Sequence, residues 1–337
     1  ISGLAAAVPK NTEFNKDYPY HSALEQEQFI KTTGIEARRI VNDSTTAADL
    51  CLESTKEILK ELNWEKESIN ILIFISQTPD YLIPGTAPYL QEKLGLPKST
   101  MAFDINLGCS GYVYGLSVIA SLLEKTKGRA LLLVGDVSSA IINKKDKTVA
   151  PLFSDAGSCT ALEYDEKAEK MYFNLQSDGK GYEAIQRKDG GMKSPFTAQS
   201  LVFDESTNRT GLDMKLSGID VFNFSRKEVV LNIEKLVLEN KISKESVDYF
   251  VFHQANLFMN EHIRKKLKIE AEKVPYSLKT LGNTSSASIP ITLINNLGQE
   301  LALKPLKLLL SGFGVGLSWG SSYIQTKKIK TLPLIEV

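Results

Sequence analysis

Four short and almost purely apolar runs most constrain how this chain can fold. They are rich in Ile, Leu, Val and Phe, and they span Ile69 to Ile75, Ala130 to Val134, Asp248 to Phe252 and Lys307 to Leu310. Apolar runs of this length, without polar alternation, predict strands that are buried on both faces. Helical patterns lie between the runs, so the sequence predicts a mixed α/β fold built in layers.

One of the intervening helices is predicted over Thr45 to Leu62. Apolar residues recur there at helical spacing, among them Leu50 and Ile58. Asp43 or Ser44 is predicted to cap its first turn, because short polar side chains accept hydrogen bonds from the free N–H groups there.

The two halves of the chain repeat one another. A strand near 71, Leu-Gly-Cys at 107–109 and a strand near 131 have counterparts about 175 residues later in the chain. The counterparts are a strand near 248, Leu-Gly-Asn at 281–283 and a strand near 308. This spacing predicts an internal duplication, with a site at the seam between the halves.

The predicted halves are residues 1–165 and 216–337. Residues 166–215 are rich in Gly, Lys, Asp and Ser and fit neither half. We interpret them as an insertion between the halves that covers the site, although a long surface excursion fits the composition equally well.

Charge and composition exclude several classes of protein. The chain has 337 residues with 40 Lys+Arg and 40 Asp+Glu, so it lacks the basic excess of a nucleic-acid-binding protein. Three cysteines do not make a disulfide framework, and three histidines leave little room for a metal site. No apolar run approaches the roughly 20 residues of a membrane span. We therefore predict a cytoplasmic protein with no metal.

No signal peptide is visible at the start of the sequence, although an export signal could have been lost from it. Ile1-Ser2-Gly3-Leu4 lacks the basic and apolar regions of a signal peptide. A first residue other than Met predicts that the sequence covers only part of the expressed chain.

Cys109 is the cysteine with a functional context. It follows Asp104 to Gly108 and precedes a helix predicted to be buried, because its residues from Val113 to Leu123 are apolar nearly all round. The positive end of that helix is expected to stabilise a thiolate and lower the pKa of Cys109. Cys51 and Cys159 lie in apolar or small-residue surroundings and are predicted to be core residues.

Three further motifs carry polar groups that could act with Cys109. His253-Gln254-Ala255-Asn256 ends a buried strand, where ligands collect in α/β folds. Gly282-Asn283-Thr284-Ser285 stands where the first half has Cys109. Ser311 to Gly316 is glycine-rich and could form an oxyanion hole or an anion nest. His262, in a charged segment, is predicted to be solvated, and His21 lies in an irregular N-terminal stretch.

Cys109, His253 and Asn283 in this chain order are compatible with two kinds of chemistry. A papain-like cysteine hydrolase has its Cys, His and Asn in the same order. Its local signature around the cysteine is absent here, and duplicated halves do not suit it. Condensation of thioesters is the other possibility.

The sequence also resembles a known family, β-ketoacyl-acyl-carrier-protein synthase III. The motifs that carry the resemblance span nearly the whole chain. They are Thr33-Gly34-Ile35, Gln77-Thr78-Pro79-Asp80, Gly108-Cys109-Ser110-Gly111, Phe153-Ser154-Asp155-Ala156-Gly157, His253-Gln254-Ala255-Asn256, Gly282-Asn283-Thr284-Ser285 and Gly312-Phe313-Gly314. The resemblance implies a thiolase-like, five-layered αβαβα fold and a homodimer. It also implies an enzyme of fatty acid biosynthesis or of a related lipid or secondary-metabolite pathway.

The resemblance also implies roles for individual residues. Cys109 would accept an acyl group from acyl-CoA, and His253 and Asn283 would hold the thioester carbonyl of malonyl-acyl-carrier protein during decarboxylative condensation. The remaining implied roles concern the oxyanion hole, the acyl pocket and the CoA or pantetheine arm. They fall to Gly314 and Val315 (oxyanion), Phe153 and Ile83 (pocket, with Ile83 reaching across the dimer), and Asn256, Lys147 and Phe222 (arm). No metal or redox cofactor is implied.

Several positions depart from the family pattern. Phe258 stands where the family has an arginine that docks the carrier protein, and Arg264 to Lys268 could replace it. Thr32 replaces an arginine that helps hold CoA, and Gln28 or Phe29 lies where a CoA-stacking tryptophan is expected. The identity of the primer acyl group therefore stays open. Two alternative functions also stay open: acyl transfer to an amine or hydroxyl by an enzyme of the same fold, and a binding subunit without catalytic activity.

Overall fold

The computed structural model describes residues 1–42 and 44–337. Its strands alternate with helices along most of the chain, as the apolar runs predict. The strands are β1 Gly3–Val8, β2 Thr12–Phe14, β3 Ala37–Arg39, β4 Ile69–Ile75, β5 Met101–Ile105, β6 Arg129–Asp136, β7 Ala156–Glu163, β8 Tyr172–Ser177, β9 Ile185–Arg187, β10 Met214–Leu216, β11 Tyr249–Phe252, β12 Lys307–Gly314, β13 Ser318–Gln325, β14 Lys330–Thr331 and β15 Ile335–Glu336.

The helices connect these strands and cover the sheets. They are α1 Ala23–Thr33, α2 Ala47–Leu62, α3 Thr86–Leu94, α4 Gly111–Thr126, α5 Gly218–Phe224, α6 Val230–Glu239, α7 Leu257–Leu267, α8 Leu278–Leu281 and α9 Ser288–Leu303. Among the described residues, no helix is both long and apolar enough to cross a membrane.

Two sheets with matching topology confirm the duplicated α/β architecture. The first sheet has the order β14-β1-β7-β6-β4-β5, and the second has the order β8-β13-β12-β11. In the first sheet, the run β1-β7-β6-β4 contains two antiparallel pairings followed by one parallel pairing. The run β8-β13-β12-β11 of the second sheet has the same sequence of pairings. Helices α4 and α9 hold equivalent places, after Cys109 and Asn283 respectively.

The alternation of side chains along the strands explains the five layers. In β4, Ile71, Ile73 and Ile75 belong to the apolar cluster that contains α4 and α9, whereas Leu72 and Phe74 belong to the cluster with α2 and α3. Successive strand residues point to opposite faces, so a strand apolar at every position must be covered on both sides. The second sheet packs in the same way between α4 and α9 on one face and α6 and α7 on the other.

Two predictions about local structure are wrong. Tyr172–Ser177, placed in the insertion 166–215, is strand β8 of the second sheet and pairs with β13. Its alternating mixture of aromatic and polar residues hid a half-buried edge strand. Helix α2 is capped by Thr46 in a reciprocal capping box with Asp49, not by Ser44. Asp43, the other predicted cap, lies outside the described residues.

Residues 178–216 contain a ribbon formed by β9 and β10, which pair antiparallel. Ile185 and Leu216 of this ribbon are packed with the apolar cluster of the second half. The ribbon therefore lies beside the second sheet, and its inner side chains reach the cavities described below.

A buried carboxylate joins the two halves. Asp136, at the carboxyl end of β6, is 1 % exposed and accepts hydrogen bonds from Ser76 Oγ (3.1 Å) and Gln77 N (2.7 Å) of the first half. From the second half, Ser286 donates through its backbone N (3.1 Å) and its Oγ (2.7 Å). The turn that follows Asn283 is thus fixed to the strand ends of the other sheet.

This network predicts a stability effect. Replacement of Asp136 by Ala leaves several buried donors without an acceptor, and each such group costs about 1–3 kcal/mol. We expect Asp136→Ala to lower the free energy of unfolding in urea by about 3 kcal/mol or more. Asp17→Ala, an exposed control, should change it by less than about 0.5 kcal/mol. A loss below about 1 kcal/mol for Asp136→Ala would contradict the role of this network.

Candidate active site

Cys109 lies between strand β5 and helix α4, at the end of the first sheet. It is 8 % exposed, and its Sγ lies 3.9 Å from Ser285 Oγ of the second half. The backbone N–H groups of Cys109 and Val315 lie close enough to the sulfur to favour its negatively charged form and lower the pKa of the thiol. Two backbone donors that converge beside one sulfur can hold an oxyanion that forms on an attached carbonyl carbon.

Glycines bring strand β12 into direct contact with Cys109. A Cβ at Gly314 would stand 2.8 Å from Cys109 Cβ and 2.9 Å from its Sγ, and a Cβ at Gly312 would stand 2.8 Å from the Cys109 carbonyl oxygen. Real Cβ atoms do not approach other atoms so closely, so larger residues here would push the strand away. The glycine motif thus places the Val315 N–H beside the sulfur.

His253 follows strand β11 and is 2 % exposed. Its Nδ1 lies 2.7 Å from Ser288 Oγ in the first turn of α9, and its ring stands edge-on to Phe313. Burial lowers the pKa of His253 to about 3, and a hydrogen bond to the Ser285 backbone offsets only part of this. The imidazole is therefore neutral at physiological pH.

Asn283 is held by backbone and side-chain bonds from three directions. Its N–H donates to the Leu152 carbonyl (3.0 Å), and its own carbonyl accepts from Ser154 N (2.9 Å). Its Oδ1 accepts from Ser285 N at 2.9 Å, and its Nδ2 faces the Ala255 carbonyl at 3.5 Å. The amide orientation is thus fixed, with Nδ2 as the donor that remains available to a ligand.

A cavity of about 520 Å³ contains most of the predicted site residues. Cys109, His253 and Asn283 line it together, although their three motifs are far apart in the sequence. The other predicted residues in its wall are Phe153, Gly314, Asn256 and Phe222. A second, smaller cavity is also lined by Cys109 and includes Val315.

Two predicted residues line neither of these cavities. Ile83 is 89 % exposed on the loop before α3 and does not reach Cys109 of its own chain. Lys147 is exposed and pairs with Glu25 at 3.4 Å, although the next residue, Thr148, lines the cavity. Any role for Ile83 at the site requires a second copy of the chain.

The expectation that helix α4 lowers the pKa of Cys109 is wrong in direction. Burial raises the pKa of this thiol to about 12, and the nearby charge of Asp136 adds to the effect. The Ser285 hydroxyl and the N–H groups of Cys109 and Val315 act in the opposite direction but are weaker. The resting site therefore holds a thiol and a neutral imidazole.

His262 is also less solvated than predicted. It is half-buried, with its ring edge-on to Phe222 and, among the described residues, no hydrogen-bond partner for Nε2. Burial lowers its pKa. Cys51 and Cys159 are buried in the core, as predicted.

The comparisons with known proteins agree with this fold and site. The family model for "3-Oxoacyl-[acyl-carrier-protein (ACP)] synthase III" matches residues 103–179. The model for the C-terminal part of the same family matches residues 237–326. A 3-oxoacyl-(acyl-carrier protein) synthase from Burkholderia xenovorans LB400 has 37 % identical residues and a TM-score of 0.94, over 100 % of this chain and 96 % of that one.

Curated relatives cover the chain equally well. The β-ketoacyl-[acyl-carrier-protein] synthase III of Streptococcus mutans is 32 % identical over 96 % of this chain and 98 % of that protein. One from Clostridium perfringens is 31 % identical over the same shares. The fold is thus that of the thiolase-like condensing enzymes. Within that class, the chain belongs to the β-ketoacyl-[acyl-carrier-protein] synthase III family.

Three residues near the site were missed by the sequence reasoning. Asp136 could have been found, since a carboxylate directly at the end of an apolar strand is unusual. Ser288 had no distinguishing signal within a run of small polar residues. Arg187, which lines the smaller cavity, lies in a segment without a recognisable motif.

The buried thiol predicts a characteristic pH profile for alkylation. With a pKa of about 12, the thiolate fraction of Cys109 rises about tenfold per pH unit across the accessible range. We expect labelling by iodoacetamide, followed by mass spectrometry, to increase without a plateau up to pH 10. Cys109→Ser should abolish it, because Cys51 and Cys159 are buried. A plateau near pH 8 would contradict the raised pKa.

The neutral imidazole predicts a second pH effect, on stability. The unfolded chain binds a proton at His253 below about pH 6.5, whereas the folded chain does so only near pH 3. Stability is therefore lost as the pH falls through this window, by up to about 1.4 kcal/mol per pH unit. In urea unfolding between pH 6.5 and 4, the free energy of unfolding of His253→Gln should fall less steeply with decreasing pH than that of the wild-type protein. Identical slopes would contradict the prediction.

Proposed function

We propose that this chain joins an acyl group to malonyl-acyl-carrier protein by decarboxylative Claisen condensation, with Cys109, His253 and Asn283 as the catalytic residues. The observation that carries the proposal is their convergence on one largely apolar cavity. Two backbone N–H groups face the sulfur there, and two fixed side chains offer donors nearby.

In the first half-reaction, Cys109 attacks the carbonyl carbon of an acyl-CoA thioester. The N–H groups of Cys109 and Val315 stabilise the tetrahedral oxyanion. Collapse breaks the bond to the CoA sulfur, which leaves with the proton that the cysteine thiol gave up. The acyl group is then bound to Cys109 as a thioester.

In the second half-reaction, malonyl-acyl-carrier protein enters and loses CO₂. The electron pair of the broken carbon–carbon bond forms an enolate, whose oxygen accepts hydrogen bonds from His253 and from Asn283 Nδ2. The enolate carbon attacks the acyl carbon and expels the Cys109 thiolate, which gives a β-ketoacyl-acyl-carrier protein. All of these steps use side chains and backbone groups alone, so the proposal includes no metal or redox cofactor.

The contact between Ser288 and His253 suits the role of His253 as a hydrogen-bond donor to the enolate. When the Ser288 hydroxyl donates to Nδ1, the single proton of the neutral imidazole resides on Nε2. Nε2–H can then donate to the enolate. Because burial keeps the ring neutral, it stabilises the charge without giving its proton away.

The cavity mouth offers a surface for an acidic carrier protein. Ile219 and Phe258 are 76 % and 56 % exposed there, and Phe258 stacks on Phe222. Lys265 and Lys266 are exposed on the adjacent helix α7. Arg264 is a poor member of the predicted basic patch, because it binds Glu261 through two hydrogen bonds and the Ile269 carbonyl through a third.

A homodimer would complete the site in this proposal. The loop that carries Tyr81, Leu82 and Ile83 presents three large apolar side chains to solvent. Such a cluster favours burial against another protein surface. A second copy placed against it would bring Ile83 toward the acyl pocket of that copy.

The proposal is tested by following label from radioactive acyl-CoA. The wild-type protein should retain label on Cys109 and convert it to a longer product only when malonyl-acyl-carrier protein is added. Cys109→Ser should not be labelled, and Cys51→Ala serves as the cysteine control. Transfer of label to an amine or hydroxyl, or to water, would instead indicate the non-extending acyltransferase or a hydrolase.

His253→Ala and Asn283→Ala should separate the two half-reactions. Both should still take up label, since neither donates to the first oxyanion. Each should lose roughly 100-fold or more of the decarboxylation rate, as expected when one preorganised oxyanion donor is removed. Decarboxylation of malonyl thioester that persists in His253→Ala would remove the role assigned to His253.

A further inference from the structure

The smaller cavity beside Cys109 has a different chemical character from the larger one. It measures about 90 Å³. Both cavities share Cys109, Phe153 and Ile185, so Cys109 stands at their junction. The residues that line only the smaller cavity are Gln77, Thr78, Ser138, Ile141, Gln186, Arg187, Met214, Ser285 and Val315.

The smaller cavity is the available place for an acyl chain attached to Cys109. The larger cavity reaches the surface at Ile219 and Phe258 and must hold the thiol arm of the donor or the carrier while the acyl group is bound. An acyl group on Sγ therefore has to turn to the other side. This inference rests on the proposed function.

The volume limits the acyl group to a short chain. An engineered apolar cavity of roughly 150 Å³ admits a benzene ring. About 90 Å³ therefore suits an acyl group of about four carbons rather than a long fatty acyl chain.

Arg187 is the charged residue in this wall. Its side chain has no carboxylate partner among the residues that the structure describes, and the lining contains no Asp or Glu. Most other arginines of the chain are already paired. Those that form ion pairs with carboxylates are Arg38, Arg39, Arg129, Arg209 and Arg264.

Arg187 contributes an unpaired and solvent-exposed guanidinium to the wall of this short pocket. A methyl-terminated chain that passes it gains no hydrogen bond from the guanidinium. A terminal carboxylate instead accepts two parallel N–H bonds from the guanidinium fork. We propose that this pocket selects a short dicarboxylic acyl group, with its free carboxylate bound by Arg187.

Succinyl-CoA and butyryl-CoA provide a matched pair of probes. Their acyl groups have the same number of carbons. The succinyl group ends in a carboxylate, whereas the butyryl group ends in a methyl group. Single-turnover loading of Cys109 in the full chain, followed by intact-protein mass spectrometry, gives the rate for each donor. We expect the wild-type protein to load succinyl at least about tenfold faster at limiting donor concentration, as for other charge-assisted bidentate contacts.

Arg187→Gln should reverse this preference. It should lower succinyl loading at least about tenfold and leave butyryl loading unchanged or faster, so butyryl loading also reports that the variant is folded. Lys188→Gln is the matched control, because Lys188 lines a neighbouring surface groove that contains neither Cys109 nor Arg187. That variant should keep the wild-type ratio of the two rates.

The possible outcomes distinguish this inference from the proposed function. Faster loading of butyryl by the wild-type protein would overturn the selection by Arg187 and leave thioester loading intact. An equal succinyl-to-butyryl ratio in wild type and Arg187→Gln would overturn it as well. Failure of both donors, together with acetyl-CoA, to label Cys109 would overturn the proposed function and this inference with it.

Discussion

The buried carboxylate of Asp136 determines how the two halves of the molecule meet. A carboxylate inside a protein is tolerated only where donors replace the water that it has lost. Here the donors come from both halves, Ser76 and Gln77 on one side and Ser286 on the other. Because hydrogen bonds are directional, this contact fixes the orientation of the turn after Asn283, which packing of apolar surfaces alone would leave less defined.

The position of the turn after Asn283 also determines the chemistry available at Cys109. Ser285 approaches the sulfur from the second half, and the glycines of β12 let the backbone of the same half pass against it. The close packing leaves the thiol and His253 almost fully buried, and this burial favours the neutral form of both. A neutral pair suits a site whose donors must stabilise charge that develops on the substrate, since a permanent charge there would compete for the same donors.

Much of the fold and of the site could be predicted because burial leaves a direct record in the sequence. Strand β4 is apolar at nearly every position, and the spacing of Cys109 and Asn283 within the repeat reflects their equivalent places before α4 and α9. Strand β8 was missed because the alternation of Phe173 and Leu175 with polar residues is confined to six residues, within a segment rich in Gly, Lys, Asp and Ser. The pKa of Cys109 was predicted in the wrong direction because the sequence shows the nearby helix end but not how completely the second half covers the sulfur.

Arg187 could not have been predicted from the repeat, and the reason is physical. Cys109 and His253 follow strands of the duplicated sheets, and Asn283 lies in the turn between α8 and α9, where neighbouring strands and helices constrain every side chain. The ribbon of β9 and β10 lies outside both sheets and pairs only within itself among the described strands. An exposed residue on it, such as Arg187, can change without disturbing either core, whereas Ile185 packs into the core of the second half. The wall of the smaller cavity can therefore vary in charge while Cys109, His253 and Asn283 stay in place, which is what selection of the acyl group by Arg187, as proposed above, would require.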